Sequence, residues 1–341
     1  MNMPPPNTYG SDDQGQICGY LFDADRVGQP IDSDAAAAFL ALDASQRQGR
    51  FLWLHFNLAH AAALPWLRRH ARLDDEFYDA SHEGSRSTRI ERHGDMLFAV
   101  MNDVTFDFSF EASDIATLWI AVYPQVMVSA RRHPLRAVDR LRAAVKAGET
   151  IETPLALLDH LLHDQADELQ RIVRIATDRV DLIEDDLLAG HTQRHASELA
   201  NLRRLSIRLQ RLLAPEPSAL NRTIANPPRW LPASDLQRLT QASEDFAVVL
   251  RDVGALQERV KLLLDESAAR VAVQNNRTLF MLTMVTVLAL PINLIAGLLG
   301  MNVGGIPLAN DAHGFWIVLM VVGVLTVGIA AFTISRLGPK D

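Results

Sequence analysis

Cysteine is nearly missing from this 341-residue chain, in which Cys18 stands alone. No intrachain disulfide can form, and one subunit can assemble neither a cysteine-based zinc finger nor a thiol redox pair. Basic residues are also scarce, 33 Lys plus Arg against 41 Asp plus Glu, for a formal charge of -8. That balance disfavours a protein whose main task is gripping phosphate backbones, so no nucleic-acid partner is expected. The first ten residues hold three consecutive prolines and neither a basic nor an apolar run, so no secretory signal is expected. The sequence has no Gly-rich phosphate loop, nucleophile elbow or His-Glu-x-x-His pattern. Hydrolysis and ATP-driven pumping therefore lack support, and neither an enzyme nor a resident cofactor is expected.

The most informative absence is charge near the C-terminus. No Lys or Arg lies between Arg277 and Arg336, and Asp311 is the one acid there. Thr278 to Leu299 is apolar and, as a helix, roughly 33 Å long, enough to cross a bilayer core. Phe315 to Ile334 also spans. Between them, residues 300–314 are rich in Gly and include Pro307, which halts a helix and reverses the chain. The spans form a hairpin. Basic residues flank its outer ends (Arg270, Arg277, Arg336, Lys340) and are missing from its loop, so both termini are expected in the cytoplasm and the protein in the plasma membrane, the inner membrane if the source is bacterial.

The expected organisation is a flexible lead (1–19), a cytosolic α+β domain (20–150), a cytosolic helical region (151–232), a stalk helix (233–277), a first span (278–299), an extracytoplasmic loop (300–314), a second span (315–335) and a tail (336–341). Within it, Ser33 should cap an Ala-rich helix reaching about Gln48, and 51–56, 96–101, 117–122 and 126–128 read as strands. Leu155 to Leu187 carries helical periodicity, and a further helix covers about 195–213. Pro215, Pro217, Pro227, Pro228 and Pro232 suggest an irregular connector, with Ser234 and Gln237 as a capping box after it. From Asp235 no breaker interrupts the pattern into the first span, and Leu239, Phe246, Val253 and Val260 recur every seven residues, the spacing of a helix packed along another.

The first span is more polar than an anchor requires. Stepping by seven from Asn293 gives Thr286, Leu279, Ala272 and Asp265, with Leu290 and Leu282 between them, a stripe if the helices supercoil slightly. An amide in hydrocarbon is costly unless it pairs with another helix or faces water. Asn293 therefore either joins helices by hydrogen bonds or lines a wet path. Two helices cannot enclose such a path; several copies around one axis can, with the first span innermost. Amide oxygens, hydroxyls and carbonyls along it suit a hydrated divalent cation.

Gly300-Met301-Asn302 at the end of that span, preceded by Leu290-Pro291-Ile292-Asn293-Leu294-Ile295-Ala296-Gly297, resembles the signature of CorA-type divalent-cation transporters. The extension through Val303-Gly304-Gly305-Ile306-Pro307 is similar to their zinc-transporting ZntB branch. The likeness continues through Arg89-Ile90-Glu91, Val128 to Arg136 and Val180 to Leu187, and covers nearly all of 20–337. It implies a homopentameric funnel with a stalk helix continuing into the pore, the second span as an outer ring, and Asn302 meeting the incoming hydrated ion. The branch implies Zn²⁺ import, with protons as a possible co-substrate; the wider family implies Mg²⁺ or other divalent cations. Leu299 stands where the family often has an aromatic, and Leu308 where magnesium-type members often carry an acid.

Other candidate metal residues are Asp311 and His313 in the outer loop, and His160, His163 and Asp164 as a regulatory set on one helix face. Asp265 either ends the pore stripe or pairs with Lys261 four residues away.

Overall fold

The computed structural model describes residues 10–83, 88–104, 115–189, 195–301 and 312–337. The chain divides into two compact units, Met1–Leu263 and Leu264–Asp341. The division falls inside a helix, just after Leu263, the last buried residue of that helix's amphipathic stretch.

A seven-stranded sheet organises the first unit. Its strands are β1 (Gln16–Phe22), β2 (Gly28–Pro30), β3 (Phe51–Asn57), β4 (Arg89–His93), β5 (Met96–Val104), β6 (Ile115–Tyr123) and β7 (Val126–Arg131), in the order β2-β1-β3-β7-β6-β5-β4. Every pairing is antiparallel except β3 with β7, where Leu52 lies opposite Val126 and Asn57 opposite Arg131. Tyr123 pairs with Val126 across Pro124-Gln125, so β6 and β7 form a hairpin closed on two residues. β1 begins at Gln16, inside the stretch assigned to the flexible lead.

Helices cover both faces, which is why β3 is buried at all seven positions instead of alternating. On one face Leu54, Phe56, Phe98 and Trp119 pack against Phe39 of α1 (Ser33–Leu40), Trp66 of α2 (Ala63–His70) and Phe77 of α3 (Asp75–Glu83). The other face meets α4 (Arg136–Lys146) and α5 (Pro154–Leu188). It carries a buried polar line: Trp53 Nε1 donates to Ser129 Oγ at 3.0 Å, and Arg131 Nε donates to His55 Nε2 at 3.0 Å. Burial, then the nearby Arg131 and Arg142 charges, hold the His55 pKa well below its usual value, leaving a neutral ring that can accept. Glu168 on α5, fully buried, receives Arg136, Arg140 and Arg171 at 2.9, 2.6 and 2.5 Å and ties α4 to α5. Burial acts to raise its pKa, but the guanidiniums, Arg171 foremost, outweigh that and lower it.

Several local expectations are corrected. α1 stops at Leu40, and its cap is Asp32, whose side chain accepts from Ala35 N at 2.8 Å; Ser33 is inside the helix. The chain then turns through Gln48 and Gly49, both at positive φ. Pro215 and Pro217 do not enforce a connector. They open α7 (Pro215–Ala225), in the first turn, where no intrahelical N–H is needed. Ser234 likewise lies within the next helix, which begins at Ala233, and does not cap it.

That helix, α8 (Ala233–Leu299), runs unbroken for 67 residues. Its first half buries Leu239, Phe246, Val253 and Val260, the heptad positions anticipated. It lies parallel to α5: Thr153 Oγ1 bonds Asp235, His163 Nε2 approaches Asp245 at 3.2 Å, and Arg259 meets Asp181 and Glu184 at 2.7 and 2.6 Å. α6 (Ala196–Leu213) and α7 connect the two in sequence. In the second unit, the remainder of α8 is followed by α9 (Gly314–Leu337).

Candidate functional site

The C-terminal part of α8 shows two contrasting faces. Phe280, Met284, Leu288, Pro291, Ile295 and Leu299 are half-buried, and on α9 Val318, Val322, Thr326 and Ile329 follow the same three-to-four spacing. Matching stripes of this kind arise when two helices pack along one another as a hairpin. Leu279, Leu282, Thr286, Leu290 and Asn293 are exposed. Leu282, Thr286, Leu290 and Asn293 each lie two positions from a member of the half-buried stripe, about 200° around the helix. The polar stripe thus occupies the side of α8 opposite the covered one. Thr326 aside, the half-buried α9 positions named are purely apolar, and both helices are long and apolar enough to cross a membrane.

Local chemistry modifies the stripe. Thr278, Thr283 and Thr286 donate their hydroxyls to the carbonyls of Gln274, Leu279 and Leu282 at 3.0, 2.8 and 3.0 Å. This back-bonding satisfies the hydroxyl proton inside the helix while leaving the oxygen lone pairs outward, available to water or a hydrated cation. Pro291 lies inside the helix; lacking an N–H, it removes the bond to the carbonyl four residues earlier, at Val287. At the helix end Gly300 N donates to Ala296 O at 3.0 Å, and a Cβ on Gly300 would come within 3.1 Å of that oxygen. The turn after Leu299 is therefore tight enough to favour glycine. Met301 is exposed.

Asn302 and Asp311 lie outside the described residues. His313 is exposed, and its carbonyl accepts from Trp316 N and Ile317 N at 3.0 and 3.1 Å as α9 starts. Asp265 is exposed, and Lys261 pairs with Glu258 at 3.5 Å rather than with it.

The histidines of α5 are drawn to separate partners. His160 Nδ1 meets Asp164 at 2.9 Å and its Nε2 faces Glu149 at 3.5 Å, whereas His163 lies between Asp159 at 3.3 Å and Asp245 at 3.2 Å. The Asp164 bond is the main cause of a raised His160 pKa. These side chains share a cleft but not a common ligand point. Among the described residues, only Glu76, Glu91 and His93 bring three ligand atoms within 4.8 Å, and there the Arg89 guanidinium already holds Glu76 at 2.8 Å. In the acidic run Glu184-Asp185-Asp186, Glu184 is paired with Arg259 and Asp186 with His195. What the sequence did not reveal is the long-range pairing of these charges, since Arg259 carries no local signal pointing to α5.

Cys18 bears on how the stripe can be tested. Burial pushes its thiol up to about 12, with Arg142, Arg131 and Lys146 pulling less strongly the other way. Its thiolate fraction is then about a thousandfold below that of an ordinary thiol. Maleimide at neutral pH is expected to leave the native protein unlabelled by mass spectrometry, so that a cysteine placed at 286 or 293 would report alone.

Comparison with known proteins extends this picture. Residues 48–336 match the family described as CorA-like Mg2+ transporter protein. A divalent cation transporter, CmaX, from Pseudomonas aeruginosa is 27% identical over 323 residues, covering 94% of this chain and 95% of its own length. A zinc transport protein, ZntB, from Yersinia enterocolitica is 24% identical over 300 residues, covering 88% and 91%. The solved full-length CmaX structure superposes with a TM-score of 0.80 at 26% identity, over 96% of this chain and 99% of that one.

Proposed function

The chain belongs to the CorA-like Mg2+ transporter family and is a divalent-cation transporter, and from that premise we propose that it imports Zn²⁺ through a pore formed by five copies of itself. The observation that carries this reading is the exposed Thr286 and Asn293 stripe on the side of α8 opposite the half-buried one. A single hairpin cannot surround a hydrated ion, so the stripe becomes a path only when copies share an axis, α8 inside and α9 outside. The number five follows the family resemblance, as does Asn302 as the first amide met from outside. Asp311 and His313 would attract and briefly ligate zinc before that ring, and Asp265 would continue the stripe at the cytosolic end. Both termini would be cytoplasmic, by the distribution of Arg and Lys around the hairpin.

Zinc is supported by the ZntB likeness and by Leu308 at the position after the loop proline. The second reading, a magnesium or broad-specificity channel of the same architecture, is supported by the family description itself. In either case the membrane potential supplies the drive, about 4.6 kcal/mol per 100 mV for a divalent ion moving inward. Proton coupling would need a titrating group outside the spans, since neither contains an acid.

Reconstitution in liposomes holding a zinc-sensitive dye and a pH dye tests the proposal. Zn²⁺ uptake with internal acidification is expected. Mg²⁺ uptake without Zn²⁺ would establish the channel reading instead, and a folded protein passing neither ion would leave a membrane-anchored sensor.

A further inference from the structure

Glu216 stands apart from every other acid among the described residues. It lies in the first turn of α7, fully buried, and neither carboxylate oxygen has a hydrogen-bond partner. The positive end of α7 favours the anion, but complete burial opposes it more strongly, and a buried carboxylate left without donors is costly. Thr88, just before β4, and Gln165 of α5 act on it weakly in favour of the charged form. Gln165 is also fully buried; its Nε2 donates to the Asn102 carbonyl at 2.7 Å and its Oε1 has no partner. Turning the amide over would set oxygen against the Asn102 carbonyl oxygen, so its orientation is fixed. Two buried side chains with unpartnered acceptor oxygens thus lie near enough to act on one another, and a proton on the carboxylate removes the cost of burying its charge.

The other acid acting on Glu216 has a different environment. Asp103 on β5 accepts from Ala137 N at 3.0 Å at the start of α4. Its charge then adds to the reasons for Glu216 to be neutral. One turn along α5, Glu168 is occupied by its three arginines. On β4, Arg89 is held by Glu76. From α8, Ser243 reaches the Pro217 carbonyl and Asn221 without bringing charge. These arginines are already engaged by other carboxylates, so none of them neutralises a Glu216 anion.

We infer that Glu216 is a buried proton-binding site that latches α7 to the sheet and α5 while its carboxyl is uncharged, so that cytosolic alkalinity loosens α7. The latch has a defined lever. α7 lines the edge strand β4, with Thr223 Oγ1 donating to Ile90 O at 3.2 Å, and the loop after it places Trp230 Nε1 on Asp95 O at 2.7 Å. Burial, moderated by Thr88 and Gln165 and reinforced by Asp103, raises the docked pKa to about 8 from the ordinary 4.5. The sign follows: the docked state holds the proton where the released state has lost it. Latching is complete below the released-state value, weakens by up to tenfold per pH unit as pH rises toward about 8, and is flat above it.

The test uses the full chain in nanodiscs. After correction for intrinsic exchange, amide hydrogen exchange of residues 215–225 should speed by close to tenfold per pH unit between about pH 5.5 and about pH 7.5, while Glu216→Gln, which is uncharged at every pH, should be nearly flat. Equal pH dependence in both proteins would overturn the inference. Should the variant fold poorly, infrared spectroscopy of the native protein with ¹³C-labelled glutamate decides: a protonated-carboxyl band persisting at pH about 7 and titrating near the docked value supports the latch, and absence of that band at pH about 6 refutes it. Protection of 215–225 restored at alkaline pH by Mg²⁺ or Zn²⁺ alone would make the pocket a cation site and also overturn the proton assignment.

Discussion

Zinc uptake into proteoliposomes is expected to fall about tenfold to a hundredfold in Asn293→Leu and further in Asn302→Ala, with the assembly intact by size-exclusion chromatography. The magnitude comes from what the amide does. If Asn293 faces a shared wet axis, its replacement by leucine puts an apolar ring where a hydrated ion must pass. Losing a polar partner in such a setting costs about 1–3 kcal/mol, and each 1.4 kcal/mol of barrier is tenfold in rate. Asn302 is not interchangeable with it: the family resemblance puts that amide first in contact with the ion's water shell, at the point of greatest dehydration cost. Thr286→Val should be milder, because its hydroxyl proton is already spent on Leu282 O. If Asn293 merely joined helices, Asn293→Leu would disturb assembly while leaving flux per assembled unit unchanged. Maleimide labelling of cysteines at 286 and 293 separates the same two cases, since a wet axis gives modification that added Zn²⁺ slows.

The second large effect is on stability. Phe246→Ala should lower the unfolding free energy of the first unit by about 3–5 kcal/mol, read as a lower melting temperature of the full chain in detergent. Phe246 is fully buried on the α8 face that carries Leu239, Val253 and Val260. Truncating it leaves a cavity between helices also held by Arg259 with Asp181 and Glu184; those half-exposed pairs are screened and offset little of the loss. Leu262→Ala is the informative contrast. Leu262 is 59% exposed in the single chain, so truncation should cost under about 0.5 kcal/mol if that face stays in water. A larger loss would mean that another copy covers it.

Local signals carried a good part of this molecule. Twenty or more residues without charge point to a span, Gly and Pro between two such runs signal a turn, and a seven-residue apolar repeat points to burial along a helix; all of these rest on chemistry within a few turns. The stripe of Asn293 and Thr286 was legible for the same reason, because helical geometry alone places such residues on one face. Tertiary structure decided the matters of partner choice. The parallel pairing of β3 with β7, Pro215 and Pro217 as the start of α7 rather than a connector, the separate carboxylates taken by His160 and His163, and the burial of Glu216 all depend on segments distant in sequence. Periodicity states that a face must be covered, but what covers it is settled by packing and hydrogen-bond satisfaction across the whole unit, and no window of the sequence contains both sides of those contacts.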